Sequence, residues 1–205
     1  MKSNKIQKMT ITAVLSALIL LMTFTGFGYI PIGPLKLTLN VLPVAVGAVL
    51  LGPKSGLFLG GVFGLSSFLT CFGIDAFGAI LLSLNPFSAF VVCMIPRLLC
   101  GWLPALIYKF LKKYDKKNLI APAVACISTA IINTLLFLGF LWICFGNDIQ
   151  TNEDIINMMG GNVINSFAAL TIVMAGVNAI IESLTAFILG TAIIKALNHI
   201  MKISA

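Results

Sequence analysis

Two charged residues lie inside otherwise apolar stretches of this 205-residue chain. Arg97 lies twelve residues before Lys109. Glu182 lies thirteen residues before Lys195. If both stretches are helices, a rise of about 1.5 Å per residue places the two charges at a similar depth, roughly 18–20 Å from the lysines. A buried charge is costly unless it is paired, so these residues indicate either a structural ion pair or a polar binding site. The sequence leaves both interpretations open.

Amide side chains are predicted to join the same layer. Asn178 precedes Glu182 by one helical turn, and Asn133 lies sixteen residues beyond Lys117, at about the same depth. An arginine could bind an anionic group of a small ligand, while the amides could bind its hydroxyl or amide groups. Seven residues are therefore candidates for substrate binding: Arg97, Asn133, Asn178, Glu182, Asn85, Lys36 and Asn40.

The chain lacks the sequence patterns of common enzymatic sites. It contains no HExxH, no GxSxG, no phosphate-binding glycine loop and no acidic cluster suited to a metal. We therefore expect no catalytic residue, no metal and no cofactor. If this protein takes part in ATP-driven transport, another chain must hydrolyse the ATP. The five cysteines are scattered singly through apolar runs, which is typical of packing residues.

Small residues recur at fourfold spacing in two places. Gly56, Gly60 and Gly64 form a GxxxGxxxG stripe, and Ala13 with Ala17 form an AxxxA pair. Helices in lipid associate through close backbone approach, which such stripes permit. The glycines predict contact between helices within the protein. AxxxA by itself is a weak motif.

The composition indicates a membrane protein that positions these residues on helices. Hydrophobic residues make up 60% and charged residues 9% of the chain, and mean hydropathy is +1.09. Soluble domains carry roughly 45–50% apolar and about 25% charged residues. Because a spanning helix needs about 20 apolar residues, we predict an all-α bundle of six transmembrane helices in a single membrane domain, 1–205. The predicted spans are 9–27, 41–51, 54–69, 86–111, 119–145 and 163–197.

The charge distribution orients this bundle. The formal net charge is +7, and eleven of the 13 basic residues fall on one side of a six-span arrangement. This positive-inside pattern predicts that both termini lie in the cytoplasm. The segments 28–40, 70–85 and 146–161 are then external loops. The positive charge reports topology in a lipid bilayer, so we expect no nucleic-acid partner.

Three segments resemble a known family over nearly the whole chain. TAVLSALI, IPIGPLKLTLNVLPVAVGAVLLGPKSGLFLGGVFGL and NPFSAFVVCMIPRLLCGWLPALIYKFL are similar to the substrate-binding S-components of energy-coupling factor (ECF) transporters, with pantothenate-type members closest. The resemblance implies a subunit of the bacterial cell membrane that captures a vitamin at the outer face and topples to release it inside. It also implies partners: a transmembrane coupling protein and two ATPase subunits. In that family the AxxxA face docks onto the coupling protein, which would assign Ala13 and Ala17 to docking. The first loop, by position 29–40, would close over the ligand.

Pantothenate is the best match among vitamin ligands. Its carboxylate, amide and hydroxyl groups suit one arginine and several asparagines, whereas flat ring systems favour stacking aromatics and the chain has only two tryptophans. Folate, riboflavin, a thiamin precursor and cobalamin are alternatives. A stand-alone secondary transporter, in which Arg97 and Glu182 relay protons or ions, is another, although no inverted repeat is visible. An intramembrane enzyme would need a nucleophile and base at one depth, which the sequence does not offer.

Overall fold

The computed structural model describes residues 2–32, 35–115, 120–158 and 166–203, and this part of the chain is almost entirely helical. Its elements in chain order are α1 (Lys2–Thr25), β1 (Tyr29–Ile32), β2 (Leu35–Thr38), α2 (Val41–Leu51), α3 (Pro53–Thr70), α4 (Ala76–Leu84), α5 (Pro86–Leu111), α6 (Ile120–Thr151), α7 (Glu153–Met158), α8 (Phe167–Thr185), a π-helical turn (Ala186–Gly190) and α9 (Thr191–Ile203). The all-helical prediction is therefore confirmed apart from one short antiparallel hairpin, β1–β2.

Four stretches within the described helices are long and apolar enough to cross a membrane: Lys5–Thr25, Pro86–Leu111, Ile120–Thr151 and Ala179–Leu197. They correspond to the first, fourth, fifth and sixth predicted spans. The second predicted span is the 11-residue helix α2, and the third is the 18-residue helix α3. The count of six spans and the cytoplasmic position of the termini stay predictions.

Helix α2 lies at the centre of the bundle, packed against α1, α3, α5 and α6. Residues are buried on every side of it, as expected of a helix that is apolar all round. At 11 residues it is only about 16 Å long, so it fills one half of the bundle along its axis. It ends at Gly52, whose φ of +93° suits glycine, and Pro53 starts α3. This is the tight turn that the Gly-Pro pair predicts.

The glycine stripe brings α3 and α5 into backbone contact. A Cβ added at Gly56 would overlap the Gly101 carbonyl oxygen, and one added at Gly60 would overlap the Arg97 carbonyl oxygen. At Gly64 the nearest backbone atom is the Cys93 carbonyl oxygen, 3.1 Å from such a Cβ. The prediction that these glycines pack inside the protein is confirmed.

Three connecting segments contain regular structure where the sequence predicts only loops. The segment 70–85 contains α4. Asp75 stabilises the start of this helix by accepting a hydrogen bond from Gly78 N at 2.8 Å. The apolar run of α4 is too short to be predicted as a span. The segment 146–161 contains the end of α6, which continues past a non-helical residue at Phe145, and then α7. The segment 28–40 contains the hairpin.

The last predicted span, 163–197, is also divided in the structure. Residues 163–165 lie outside the described residues, and Ser166 caps α8 by accepting a hydrogen bond from Ala169 N. Helix α8 ends at Thr185, where the π-helical turn begins. A π-helical turn contains one more residue than an α-helical turn and so shifts the faces of the helix that follows. The spacing of apolar residues in the sequence does not reveal it.

The buried apolar residues form two separate cores. The first, which we call the α2 core, surrounds α2 and includes Leu15, Ile19, Val44, Phe63, Ala125 and Ala130. The second, which we call the α4 core, includes Phe77, Leu81, Val92, Leu138, Phe145 and Leu170. The boundary between them is where the bundle admits polar side chains.

Gly60→Ala is expected to destabilise the protein, because the new methyl group would push α3 away from the Arg97 carbonyl. Overpacking of this kind costs about 1–3 kcal/mol, which for a chain of this size is roughly 5 °C in melting temperature. The measurement is thermal unfolding of the purified protein. Gly139→Ala is the control, since a Cβ there meets nothing within 4 Å. An unchanged melting temperature for Gly60→Ala would contradict this account of the α3–α5 contact.

Candidate functional site

Three polar side chains lie between the two apolar cores, one each from α5, α6 and α8. Arg97, Asn133 and Glu182 are 8%, 5% and 7% exposed. On its own helix each is flanked by members of both cores: Val92 and Cys100 flank Arg97, Leu138 and Ala130 flank Asn133, and Leu170 and Ala186 flank Glu182. The structure thus brings together three of the four residues that depth counting grouped. We call these three residues the polar layer.

A proline holds the arginine of the polar layer in place. Pro96 has no backbone N–H, so the Val92 carbonyl lacks its usual helical donor. Arg97 supplies that donor, with Nη1 donating to the Val92 oxygen at 2.8 Å. The adjacent Pro-Arg pair on α5 therefore fixes the guanidinium against its own helix.

Two phenylalanines complete the surroundings of the guanidinium. Its carbon lies 4.5 Å from the ring centroid of Phe137 and 5.6 Å from that of Phe63. Cation–π contacts in a desolvated site stabilise by about 2 kcal/mol or more. A guanidinium carries five N–H donors, and the Nε donor of Arg97 has no hydrogen-bond partner among the described residues. The cation is held in place, but it still has a donor available.

No direct ion pair joins the two charges of the layer: within the described residues, no carboxylate oxygen lies within 4.0 Å of the Arg97 guanidinium. Glu182 interacts with the Thr134 hydroxyl and with the charge of Arg97 at longer range. In the part of the chain that the structure describes, its Oε1 atom has no donor, and neither does Oδ1 of Asn133. The layer therefore presents one unpaired donor and two unpaired acceptors, which is more than a structural ion pair requires.

Asn40 is the centre of a second buried polar cluster. It is 0% exposed, and its Nδ2 donates to Thr23 Oγ1 at 2.8 Å. Thr23 Oγ1 lies 3.3 Å from Ser66 Oγ. Gly28 packs so closely on Asn40 that a Cβ there would lie 2.8 Å from Asn40 Oδ1. These contacts tie the base of the hairpin to α1 and α3. Oδ1 of Asn40 has no donor from any described residue.

Another predicted binding residue, Asn85, lies outside the polar layer. Asn85 caps α5, where its Oδ1 accepts hydrogen bonds from Phe87 N and Ser88 N at 3.1 Å each. It is exposed, and about 18 Å of helix separates it from Arg97. The side chains of Lys36 and Asn178 lie outside the described residues.

Sequence reasoning missed the aromatic and hydroxyl neighbours of these residues. Phe137 lies twenty residues beyond Lys117, about 30 Å by helical rise, so depth counting would have placed it well outside the layer of Arg97. Phe63 lies beside the glycine stripe on α3, where a large side chain must face a neighbouring helix. Thr23 and Ser66 carry no such signal, because each looks like an ordinary hydroxyl in an apolar helix.

The AxxxA pair is exposed, unlike the glycine stripe. Ala13 and Ala17 both face away from the protein, whereas Leu15 and Ile19 of the same helix belong to the α2 core. No close helix contact within the described residues uses the two alanines. They form a smooth strip on the outside of α1, suited to close approach by another helix.

Comparison with known proteins places the whole arrangement in a family. A family model described as "ECF transporter, substrate-specific component" matches residues 7–194. This chain belongs to that family. The matched region contains the polar layer, the glycine stripe and the AxxxA pair, and together with the four apolar stretches it makes the chain a multi-pass protein of the cell membrane.

Two relatives narrow the comparison. The chain is 30% identical over 211 aligned positions to the pantothenic acid transporter PanT of Lactococcus lactis subsp. cremoris, covering 96% of each chain. It is 36% identical over 106 positions to the pantothenate transporter PanT of Leuconostoc mesenteroides subsp. mesenteroides, covering 49% of this chain and 50% of the relative. The resemblance noted in the sequence is thus confirmed at the level of the family.

Proposed function

We propose that this S-component captures pantothenate at the outer face of the membrane for ATP-driven uptake by partner subunits. The family match over residues 7–194 supports the role of substrate-binding subunit. Two relatives named as pantothenate transporters, one aligned over 96% of the chain, support the choice of vitamin. The polar layer supplies the physical basis for that choice.

The observation that carries the proposal is the set of unpaired atoms in the polar layer. Arg97 Nε is a buried cationic donor, and Asn133 Oδ1 and Glu182 Oε1 are buried acceptors. Pantothenate offers a carboxylate, an amide N–H and two hydroxyls. Arg97 binds the carboxylate in a charge-assisted hydrogen bond, while Asn133 and Glu182 accept from the hydroxyl or amide groups. The phenylalanine rings beside Arg97 suit the gem-dimethyl end or the methylene chain.

The hairpin and the short central helix provide access to this site. Asn40 joins the loop to the start of α2 and contacts Thr23, which lies beside Ser66 of α3. The same helix α3 carries Phe63, whose ring contacts Arg97. Strand β2 packs against α8, the helix that carries Glu182. In this proposal the loop 29–40 acts as a lid that is anchored at Asn40.

Partner subunits provide the energy for uptake. The chain has no phosphate-binding loop, so ATP hydrolysis takes place in two ATPase subunits, and a transmembrane coupling protein joins them to this chain. Ala13 and Ala17 on the exposed face of α1 are the docking residues, because small side chains let a partner helix approach the backbone closely.

The proposed function is tested by ligand binding to the isolated subunit. Purified protein without ATP is titrated by calorimetry with pantothenate, folate, riboflavin, thiamin and cobalamin. We expect pantothenate to bind with one-to-one stoichiometry and the others to give no heat of binding. Binding of a different vitamin would refute the substrate, and binding of none would refute the S-component function.

Arg97→Ala is expected to weaken pantothenate binding by roughly 10- to 100-fold, since a hydrogen bond to a charged group contributes about 1.5–3 kcal/mol. Pantothenol, which replaces the carboxylate with an alcohol, should lose only a few-fold. Arg97→Lys keeps the charge and should bind pantothenate with intermediate affinity. Thermal unfolding of each variant serves as the control. Equal losses for the two ligands, or a collapse of stability without ligand, would favour a purely structural role for Arg97.

Ala13→Leu combined with Ala17→Leu is expected to abolish vitamin uptake by cells while leaving calorimetric binding by the isolated subunit unchanged. The bulkier side chains would hold the partner helix away from α1 but would point out of this bundle. Val14→Leu adds bulk at a neighbouring exposed position and serves as the control. Loss of binding in the double variant would contradict a docking role.

A further inference from the structure

Glu182 is the one acidic group of the polar layer, and its neighbours are few. It is the only ionisable residue in the sequence of α8, and the π-helical turn after it has none. From α6 it interacts with the neutral hydroxyl of Thr134. From α5 it interacts electrostatically with the charge of Arg97 and with the thiol of Cys100. Strand β2, which packs against α8, has one ionisable residue in its sequence, Lys36.

The charges of Arg97 and Glu182 balance each other when both groups are ionised. A bound carboxylate adds a second negative charge to a layer that is more than nine-tenths buried. Water screens charges poorly there, so two carboxylates facing one guanidinium repel each other strongly. Glu182 has little else among the described residues to stabilise its charge, because Oε1 has no donor and the guanidinium is more than 4.0 Å away.

The least costly way to restore balance is protonation of Glu182. The guanidinium cannot lose its proton at any physiological pH, whereas a carboxylate can readily gain one. The neutral carboxylic acid gains an O–H donor and keeps its carbonyl oxygen as an acceptor for a ligand hydroxyl or amide group. That donor can serve the ligand carboxylate or one of its hydroxyl oxygens.

We propose that Glu182 determines the charge selectivity of the site by taking up one proton from solvent when the carboxylate ligand binds at Arg97. This proposal rests on the proposed function, because it concerns the same ligand and the same layer. The proton adds to a Glu182 carboxylate oxygen and no other bond forms or breaks. On release of the ligand the proton returns to solvent.

The proposal predicts a pH dependence that is specific to the anionic ligand. Uptake of one proton on binding makes the affinity rise as pH falls, by up to tenfold per pH unit. The ligand itself contributes nothing to this slope between about pH 6 and pH 8, because simple carboxyl groups titrate near pH 4. A neutral ligand adds no charge, so its affinity should stay constant over the same range.

Calorimetry on the purified full-length subunit tests this directly. Pantothenate and pantothenol are titrated at about pH 6, 7 and 8 in phosphate and in imidazole, two buffers whose ionisation enthalpies differ. For pantothenate we expect the complex to take up as much as one proton on binding. We expect the Kd to increase by up to tenfold for each unit by which the pH is raised. For pantothenol we expect no proton uptake and a constant Kd. These measurements on the unmodified protein do not depend on a variant folding.

Glu182→Gln assigns the proton to its site. The amide keeps the size of the side chain but cannot titrate, so pantothenate should bind without proton uptake and with a Kd that no longer depends on pH. Glu153→Gln removes an exposed carboxylate on α7 and should behave as the unmodified protein does.

Three outcomes would overturn the proposal. If pantothenate binds the unmodified protein without proton uptake, Glu182 does not titrate and the proposed function stands without it. If Glu182→Gln binds with undiminished proton uptake, another group carries the proton. If the unmodified protein binds no pantothenate, the proposed substrate and this inference fail together.

Discussion

Contact between the backbones of α3 and α5 is the constraint on which the rest of the structure depends. Gly56 and Gly60 let the two helices approach until carbonyl oxygens of one lie where side chains of the other would be. In lipid, where apolar side chains gain little by leaving the solvent, such close packing is a main source of helix association. The contact also includes the Arg97 carbonyl, so the packing that holds the bundle together fixes the height and direction of its buried cation.

The polar layer exists because the two apolar cores do not meet. Helix α2 stops after 11 residues, and the α4 core is formed by α4 together with parts of α5, α6, α7 and α8. Each core is continuous in itself, and the polar layer lies at the boundary between them. Arg97 is held there by the Val92 carbonyl and two phenylalanine rings, without a carboxylate partner within 4.0 Å among the described residues. A buried cation without a carboxylate at that distance is consistent with the proposed binding of an anionic ligand group.

The sequence predicted the membrane class, four of the long apolar stretches and the convergence of Arg97, Asn133 and Glu182. Depth counting succeeded because helical rise is nearly constant and the lysine clusters give a common origin. Depth counting did not include Asn85, which caps α5 by accepting hydrogen bonds from Phe87 N and Ser88 N, a common use of an asparagine before a proline. The sequence did not reveal α4 or the hairpin, since both are too short to produce a clear period. The contacts of Arg97 with Phe63 and Phe137 join three helices, α5, α3 and α6. No pattern within a single helix reveals them.

The glycine and alanine stripes show how one kind of motif can serve opposite purposes. Both provide small residues at fourfold spacing, so their sequence patterns do not say which lies inside the bundle. The distinction comes from the large residues beside each stripe on its own helix. Leu15 and Ile19, on the other side of α1, belong to the α2 core and turn Ala13 and Ala17 outward. On α3 the glycines themselves face the core, because Phe63 and Leu59 on the same helix are both fully buried. A stripe whose neighbours already fill the core is free for a partner, and that reasoning supports the proposal that the exposed face of α1 is used for docking while the polar layer binds the ligand.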